Sequence, residues 1–411
     1  MPKRRLVVTV KEEYGMLDVL GSVQNSTCKS LYTSPYDVHA ELHRYPLSER
    51  AKEANKDLYK ERFYYTLGKQ GKEWYRTYTI DTETDAALGE VIENLRQQGE
   101  FVDDYYEDGY IRFTAAPQDP LFIQQRPLFD KLFIEDAWDL APKQGAGVLV
   151  AVLDTGVKPN HPDLAPNLWR QGPNIVGFPA DGKNMDDQNG HGTAVCGIIG
   201  AASNNVGIIG IAPAVQLQVH MLTLGADKVF MSACSSSMLK ARDTNCRIVN
   251  CSFTVDLPNS EESVKKFQAS INSLSDKLLF VFSAGNDGIS LSTRFLTGLK
   301  NVLITGALTN DDRRAGYSNF GSQVVYAYGD ILSTNNSNGN GIFQETSAAA
   351  PQLTGICALM LSVQPSLSPV QIKTVIENTT DPLPFVPKSV GIGKVNAKRA
   401  IEKVIHDFGL A

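Results

Sequence analysis

The 411-residue sequence predicts an α/β protein in two unequal parts, a doubly wound and mostly parallel sheet from residue 145 onward preceded by a smaller α+β unit. Three observations carry this expectation. From Gly145 to Gly306, short apolar runs alternate with helical patterns, and such runs mark strands buried on both faces of a parallel sheet. Before residue 116 the chain is charged and tyrosine-rich, with a different patterning. Between the two, Gln118-Asp119-Pro120 interrupts both patterns.

In the first part, Arg5 to Val10 alternates as a strand, and Val38 to Tyr59 is polar with recurrent apolar positions, which predicts a helix. Phe63 to Leu67 and Tyr75 to Ile80 are β-prone and flank the turn-like Gly68-Lys69-Gln70-Gly71-Lys72, a hairpin signal. Thr82 or Thr84 caps a helix over Asp85 to Gln98 that gathers Ala87, Leu88, Val91, Ile92 and Leu95 on one face, and Phe101 to Phe113 is extended. The order is βαββαβ, a ferredoxin-like unit over residues 1–116. Residues 117–144 read as a linker and the start of the larger part, with Pro127 to Ala141 a mixed connector, and residues 145–411 as the larger domain. Its expected strands are Val148 to Leu153, Gln216 to Met221, Ile248 to Cys251, Leu278 to Phe282 and Val302 to Gly306, with helices after His191 and near Met238.

Composition excludes several partners. With 39 Lys and Arg against 45 Asp and Glu, the net charge is -6, and no basic run exceeds Lys3-Arg4-Arg5, so neither nucleic acid nor an anionic membrane is expected as a partner. Leu6 to Val10 gives way at once to Lys11-Glu12-Glu13, short of the roughly 7 to 15 apolar residues of an export signal. The expectation is a cytoplasmic protein. Six cysteines (Cys28, Cys196, Cys234, Cys246, Cys251 and Cys357) show neither a CxxC pair nor metal-ligand spacing, which reads as reduced, mostly buried thiols.

Three segments place a reactive side chain at a strand end or a helix start. Ala151-Val152-Leu153-Asp154-Thr155-Gly156 ends a buried strand in an aspartate, where parallel sheets carry functional groups. Asn189-Gly190-His191-Gly192-Thr193-Ala194 leads into an apolar helix, and Glu345-Thr346-Ser347-Ala348-Ala349-Ala350-Pro351 opens another, with Pro351 expected in its first turn. Taken singly, a strand-end aspartate is often a turn residue and a serine at a helix start an N-cap. Together they supply the hydroxyl nucleophile, imidazole base and orienting carboxylate that acyl transfer requires.

The order Asp, His, Ser and the local blocks resemble the subtilisin-like serine peptidases across nearly the whole second part. Gly147-Val148, His161-Pro162-Asp163-Leu164, Gly210-Ile211-Ala212-Pro213, Ser283-Ala284-Gly285-Asn286, Tyr317-Ser318-Asn319-Phe320-Gly321 and Gly393-Lys394-Val395-Asn396-Ala397 all look like blocks of that family. The resemblance implies Ser347 as nucleophile, His191 as base and then acid, Asp154 as orienter and Asn286 as oxyanion-hole donor. It also implies a peptide or protein substrate bound along Ser252, Phe253 and Thr254 on one side and Ser283, Ala284 and Gly285 on the other. The first part resembles the family's prodomain, which assists folding and then inhibits. Self-cleavage of such a zymogen is expected between Phe113 and Pro120.

A structural calcium site is a further implication. The loop Ala202 to Ile208 suits carbonyls converging on a hard cation, with Asp163, Ala202, Asn204, Val206 and Ile208 as candidate ligands and Gln124 or Gln125 completing the set. Asn-Asn-x-Gly is equally an ordinary turn.

Three positions depart from the family's pattern. Glu345 stands where glycine is usual; a carboxylate about 8 Å from a developing oxyanion costs on the order of 2 kcal/mol at an effective dielectric near 20, and it would favour a basic residue just beyond the scissile bond. Ala348 replaces a methionine, and Thr254-Val255 replaces two glycines, so a narrow cleft and tight specificity are expected. The rival expectation is a catalytically silent relative that binds peptides through the same cleft.

Overall fold

The structure is a computed structural model that describes residues 4–11, 37–41, 75–82, 93, 96, 102–107, 117–169, 186–223, 231–254, 261–291, 296–383 and 389–410. The chain divides into two compact units, Met1–Ala115 and Ala116–Ala411.

In the first unit the described strands are β1 (Arg4–Lys11), β2 (Asp37–Glu41), β3 (Tyr75–Thr82) and β4 (Val102–Glu107). They form one sheet in the order β2-β3-β1-β4 with every pairing antiparallel. One expectation changes here. Asp37–Glu41 is a strand rather than a helix start: the alternation of Val38 and Ala40 has period two, inside a stretch whose composition favours helix. β3 is paired on one edge with β1 and on the other with β2. Glu93 and Arg96 are helical; the rest of that predicted helix, the span 42–59 and Phe63 to Leu67 lie outside the described residues.

The second unit opens with two helices where a connector was expected, α1 (Phe122–Leu132) and α2 (Ile134–Leu140). Pro127 lies inside α1. Tertiary contacts outweigh its cost: Phe129 meets the rings of Phe122 and Trp138 edge-on at 6.1 and 5.8 Å, and Trp138 Nε1 donates to Ile211 O at 2.8 Å.

The larger sheet contains β5 (Leu149–Asp154), β6 (Gln216–Met221), β7 (Ile248–Cys251), β8 (Leu279–Ser283), β9 (Val302–Leu308), β10 (Val324–Tyr328) and β13 (Gly393–Lys394). Its order is β13-β10-β9-β8-β7-β5-β6, and all pairings are parallel. Every residue of β7, β8, β9 and β10 is buried, which accounts for their continuous apolar runs. A two-stranded ribbon, β11 (Asp330–Thr334) and β12 (Asn340–Gln344), stands apart from this sheet.

Helices α3 (His191–Gly200), α4 (Met231–Asp243), α5 (Glu261–Asn272), α6 (Thr346–Val363), α7 (Pro369–Asn378) and α8 (Ala397–Phe408) complete the unit. Of these, α6 packs along β7 to β10 and against α3. Among the described residues α6 is the helix long and apolar enough to cross a membrane, yet 94% of it is buried inside the fold, as a core helix requires. Pro351 falls in its second turn rather than its first, so Ser347 O loses the amide that would otherwise bond it. The described cysteines are all free and buried; burial pushes the Cys234 thiol up to about 11 and Cys246 to about 12, leaving both protonated and unreactive. Cys28 lies outside the described residues.

Candidate active site

Sheet order explains where the reactive groups gather. From β5 the chain adds β6 on one flank and β7 on the other, which creates a topological switch point at the carboxyl ends of β5 and β7. Asp154 is the last residue of β5, and Ser252 follows the end of β7.

Asp154 is 5% exposed, and its Oδ1 accepts from Thr155 N at 2.8 Å and contacts His191 Nδ1 at 2.7 Å. His191 is the first residue of α3. Its placement depends on a close approach: a Cβ on Gly192 would lie 2.2 Å from Gly156 O and 3.1 Å from Asp154 Cβ, so only glycine fits beside the imidazole. Burial works to lower the His191 pKa, but the adjoining Asp154 carboxylate together with Asp187 and Glu345 outweighs it, and the net shift is upward.

Asp187 escaped the sequence reading. Only 2% exposed, it accepts from Thr155 Oγ1, Asn189 N, Gly190 N, Thr193 N and Thr193 Oγ1 at 2.7 to 3.0 Å. It thereby fastens the β5 end to the first turn of α3, near the positive end of the helix. The available signal was a carboxylate four residues before the histidine. Phe343, also unforeseen, meets the imidazole edge-on at 5.0 Å from the β11–β12 ribbon.

Ser347 is half-buried in the first turn of α6, where backbone N–H groups have no intrahelical acceptor. Its hydroxyl donates to Ser252 O at 3.0 Å. Ser252 is itself fixed, because its Oγ accepts from Asn250 Nδ2 at 2.9 Å and Asn250 Oδ1 accepts from Thr354 Oγ1 of α6 at 2.8 Å. Asn286 is clamped at both ends of its amide. Thr346 N and Thr346 Oγ1 donate to its Oδ1 at 3.1 and 2.7 Å, and its Nδ2 donates to Glu345 Oε2 at 2.8 Å. Glu345 holds φ 72° and ψ −168°, a backbone region close to exclusive to glycine that costs another residue about 1–3 kcal/mol.

The predicted substrate-binding residues lie at the ends of adjacent parallel strands. Phe253 packs edge-on against Phe282 at 6.0 Å, Thr254 is exposed, and Ser283, Ala284 and Gly285 are buried. Gly285 N donates to Thr346 Oγ1 at 3.2 Å, tying this segment to the start of α6.

The predicted calcium ligands fit a hard cation in part. Asp163 is fully buried, and its Oδ1 has no hydrogen-bond partner while Oδ2 accepts from Ile208 N at 3.1 Å. Burial raises the Asp163 pKa, and the nearby Asp119 carboxylate adds to the rise, against bonds from Ile208 and Asn340. An orphaned carboxylate oxygen beside a second carboxylate is a setting that a divalent cation would relieve. The loop also wraps closely, since a Cβ on Gly207 would lie 2.3 Å from Asp163 Oδ2. Against this, Asn204 Oδ1 accepts from Val206 N at 3.0 Å, the ordinary turn, and Gln125 spends both ends of its amide on Ile209 at 2.8 and 3.0 Å. Ala202 N donates to Asp163 O at 2.7 Å. Among the described residues no group of three or more His, Cys, Asp or Glu converges as a metal site.

Residues 145–408 match the subtilase family. The chain is 34% identical over 259 residues to an alkaline elastase of Bacillus sp. strain YaB, a match that covers 62% of this chain and spans 65% of that relative's length. It is 32% identical to subtilisin BL of Lederbergia lenta, covering 62% of this chain and 91% of the relative, and 28% identical to thermitase of Thermoactinomyces vulgaris, covering 70% and 99%. Among solved structures, a protease from Pseudoalteromonas arctica PAMC 21717 superposes with a TM-score of 0.60 at 26% identity, covering 71% of this chain and all of that one.

Proposed function

The chain belongs to the subtilase family and is a subtilisin-like serine endopeptidase, and on that premise we propose that it cleaves peptide bonds through an acyl-enzyme on Ser347, with His191 as general base and then acid and Asp154 as its orienting carboxylate. The observation that carries this reading is the 2.7 Å contact between Asp154 Oδ1 and His191 Nδ1. With Nδ1–H donated to a buried carboxylate, the neutral imidazole keeps its lone pair on Nε2, which is the tautomer a base requires.

In this mechanism the Ser347 hydroxyl turns from Ser252 O to the imidazole, and its oxygen attacks the scissile carbonyl carbon as the proton passes to Nε2. The carbonyl oxygen becomes an alkoxide that the Ser347 N–H and Asn286 Nδ2 receive. Collapse breaks the C–N bond, with the amine leaving on the proton from His191, and water repeats the sequence to release the acid. An extended substrate lies along Ser252-Phe253-Thr254 and Ser283-Ala284-Gly285, where the Thr254 side chain narrows the choice of substrate. The pH dependence tests the base. Because the His191 pKa is raised, kcat/KM rises with pH through a midpoint above the ordinary imidazole value of about 6.5. An acid side that is flat, or centred below that value, assigns proton transfer to another group.

We propose that the first unit is the family's prodomain, folding aid and then inhibitor, removed by self-cleavage between Phe113 and Pro120. For calcium, the proposal is a structural ion at Asp163 with the Ala202, Val206 and Ile208 carbonyls and the Asn204 amide, supported by the orphaned Asp163 Oδ1. Such an ion neutralises buried charge and stiffens the loop. A chelator then lowers the Tm of the wild type and leaves Asp163→Asn unaffected; an unchanged wild-type Tm removes the ion from the account.

A further inference from the structure

Glu345 stands two residues before the proposed nucleophile, as the N-cap of α6, in a backbone conformation that suits glycine. A strained residue persists where its surroundings hold it, and here the hold is specific: Glu345 Oε2 accepts from Asn286 Nδ2 at 2.8 Å. Asn286 cannot turn away, because its Oδ1 is bound by both donors of Thr346. One further N–H remains on Nδ2, but an alkoxide approaching it meets the negative charge of the carboxylate. Among the described residues no salt bridge offsets that charge. Around the imidazole the other charges are also negative, from Asp154 and Asp187. An anion held over an oxyanion donor, exposed to solvent and without a cation of its own, is a receptor for a positive charge brought by the substrate.

Resting on the serine-peptidase reading above, we infer that Glu345 is a specificity-determining residue that shields the Asn286 donor until a cationic side chain next to the scissile bond draws its carboxylate away. Neutral substrates then meet a half-blocked oxyanion hole and react slowly, while cationic ones open it as they bind. The shield costs the enzyme up to the value of one donor, about 10² to 10³ in kcat.

A pair of fluorogenic peptides, identical except for arginine or its neutral isostere citrulline beside the scissile bond, tests this on the full chain. The wild type is expected to prefer arginine by about 10²-fold or more. In Glu345→Gly, which also relaxes the backbone, kcat on the citrulline peptide rises at least tenfold and the preference falls to a few-fold. Glu345→Gln, neutral but still able to accept from Asn286, lies between them. Asn286→Ala costs the wild type tenfold or less on the citrulline peptide, and about 10² or more in the Glu345→Gly background. A purely structural Glu345 would move neither the preference nor this coupling. Survival of the arginine preference in Glu345→Gly, or an unchanged rate on citrulline, overturns the inference. If no variant, wild type included, reacts with an active-site fluorophosphonate, the serine-peptidase reading fails and the shield falls with it.

Discussion

Ser347→Ala lowers kcat on a peptide substrate by on the order of 10⁶-fold, a magnitude carried over from the loss of the nucleophile in a subtilisin. The change removes one hydroxyl whose hydrogen bond goes to Ser252 O at 3.0 Å from a half-buried position, so the fold and KM should change little. The same variant reads out processing. Its intact mass should correspond to all 411 residues, whereas the wild type is expected to lose a segment ending between Phe113 and Pro120. A loss in kcat below tenfold would remove Ser347 from the chemistry, and a trimmed Ser347→Ala chain would assign the cut to another agent.

Asp154→Asn is expected to lower kcat by about 10⁴-fold. An asparagine amide facing Nδ1 favours the imidazole with its proton on Nε2, the wrong nitrogen for a base. The pH profile changes in a direction fixed by the present balance. Burial pulls the His191 pKa down and the Asp154 carboxylate holds it up; with the carboxylate gone, burial prevails and the acid limb moves to lower pH. An unchanged limb in this variant would mean that the titrating group is not the partner of Asp154.

The sequence made the reactive side chains legible because each sits in a short block whose local meaning is complete: a strand ending in Asp154, a turn opening a helix at His191, a helix start at Ser347. The parallel sheet was legible for a similar reason, since burial on both faces writes continuous apolar runs. What stayed hidden depends on distance in the chain. Asn286 meets Glu345 across 59 residues and Ser347 meets Ser252 across 95, and no local pattern encodes either contact. Asp187 was hidden otherwise, as it accepts from backbone amides that would donate to any carboxylate in that turn.

Element errors follow the same division. Pro127 signals a break locally, yet the packing of Phe122, Phe129 and Trp138 carries α1 through it. Asp37–Glu41 shows period two over five residues, too few to outweigh the helix-forming stretch that follows. Two elements carried signals that went unread: Asn338-Gly339 in the β11–β12 turn, and the Ser368 capping box with Gln371 ahead of α7.

Whether the Asp154–His191 pair serves the hydroxyl of Ser347 is read out by locating a fluorophosphonate adduct by mass spectrometry. The expected result is one phosphonyl group per chain, on the Ser347 peptide, absent from His191→Ala. A folded wild-type chain that stays unmodified, or an adduct on any other serine, would mean that the pair does not activate Ser347.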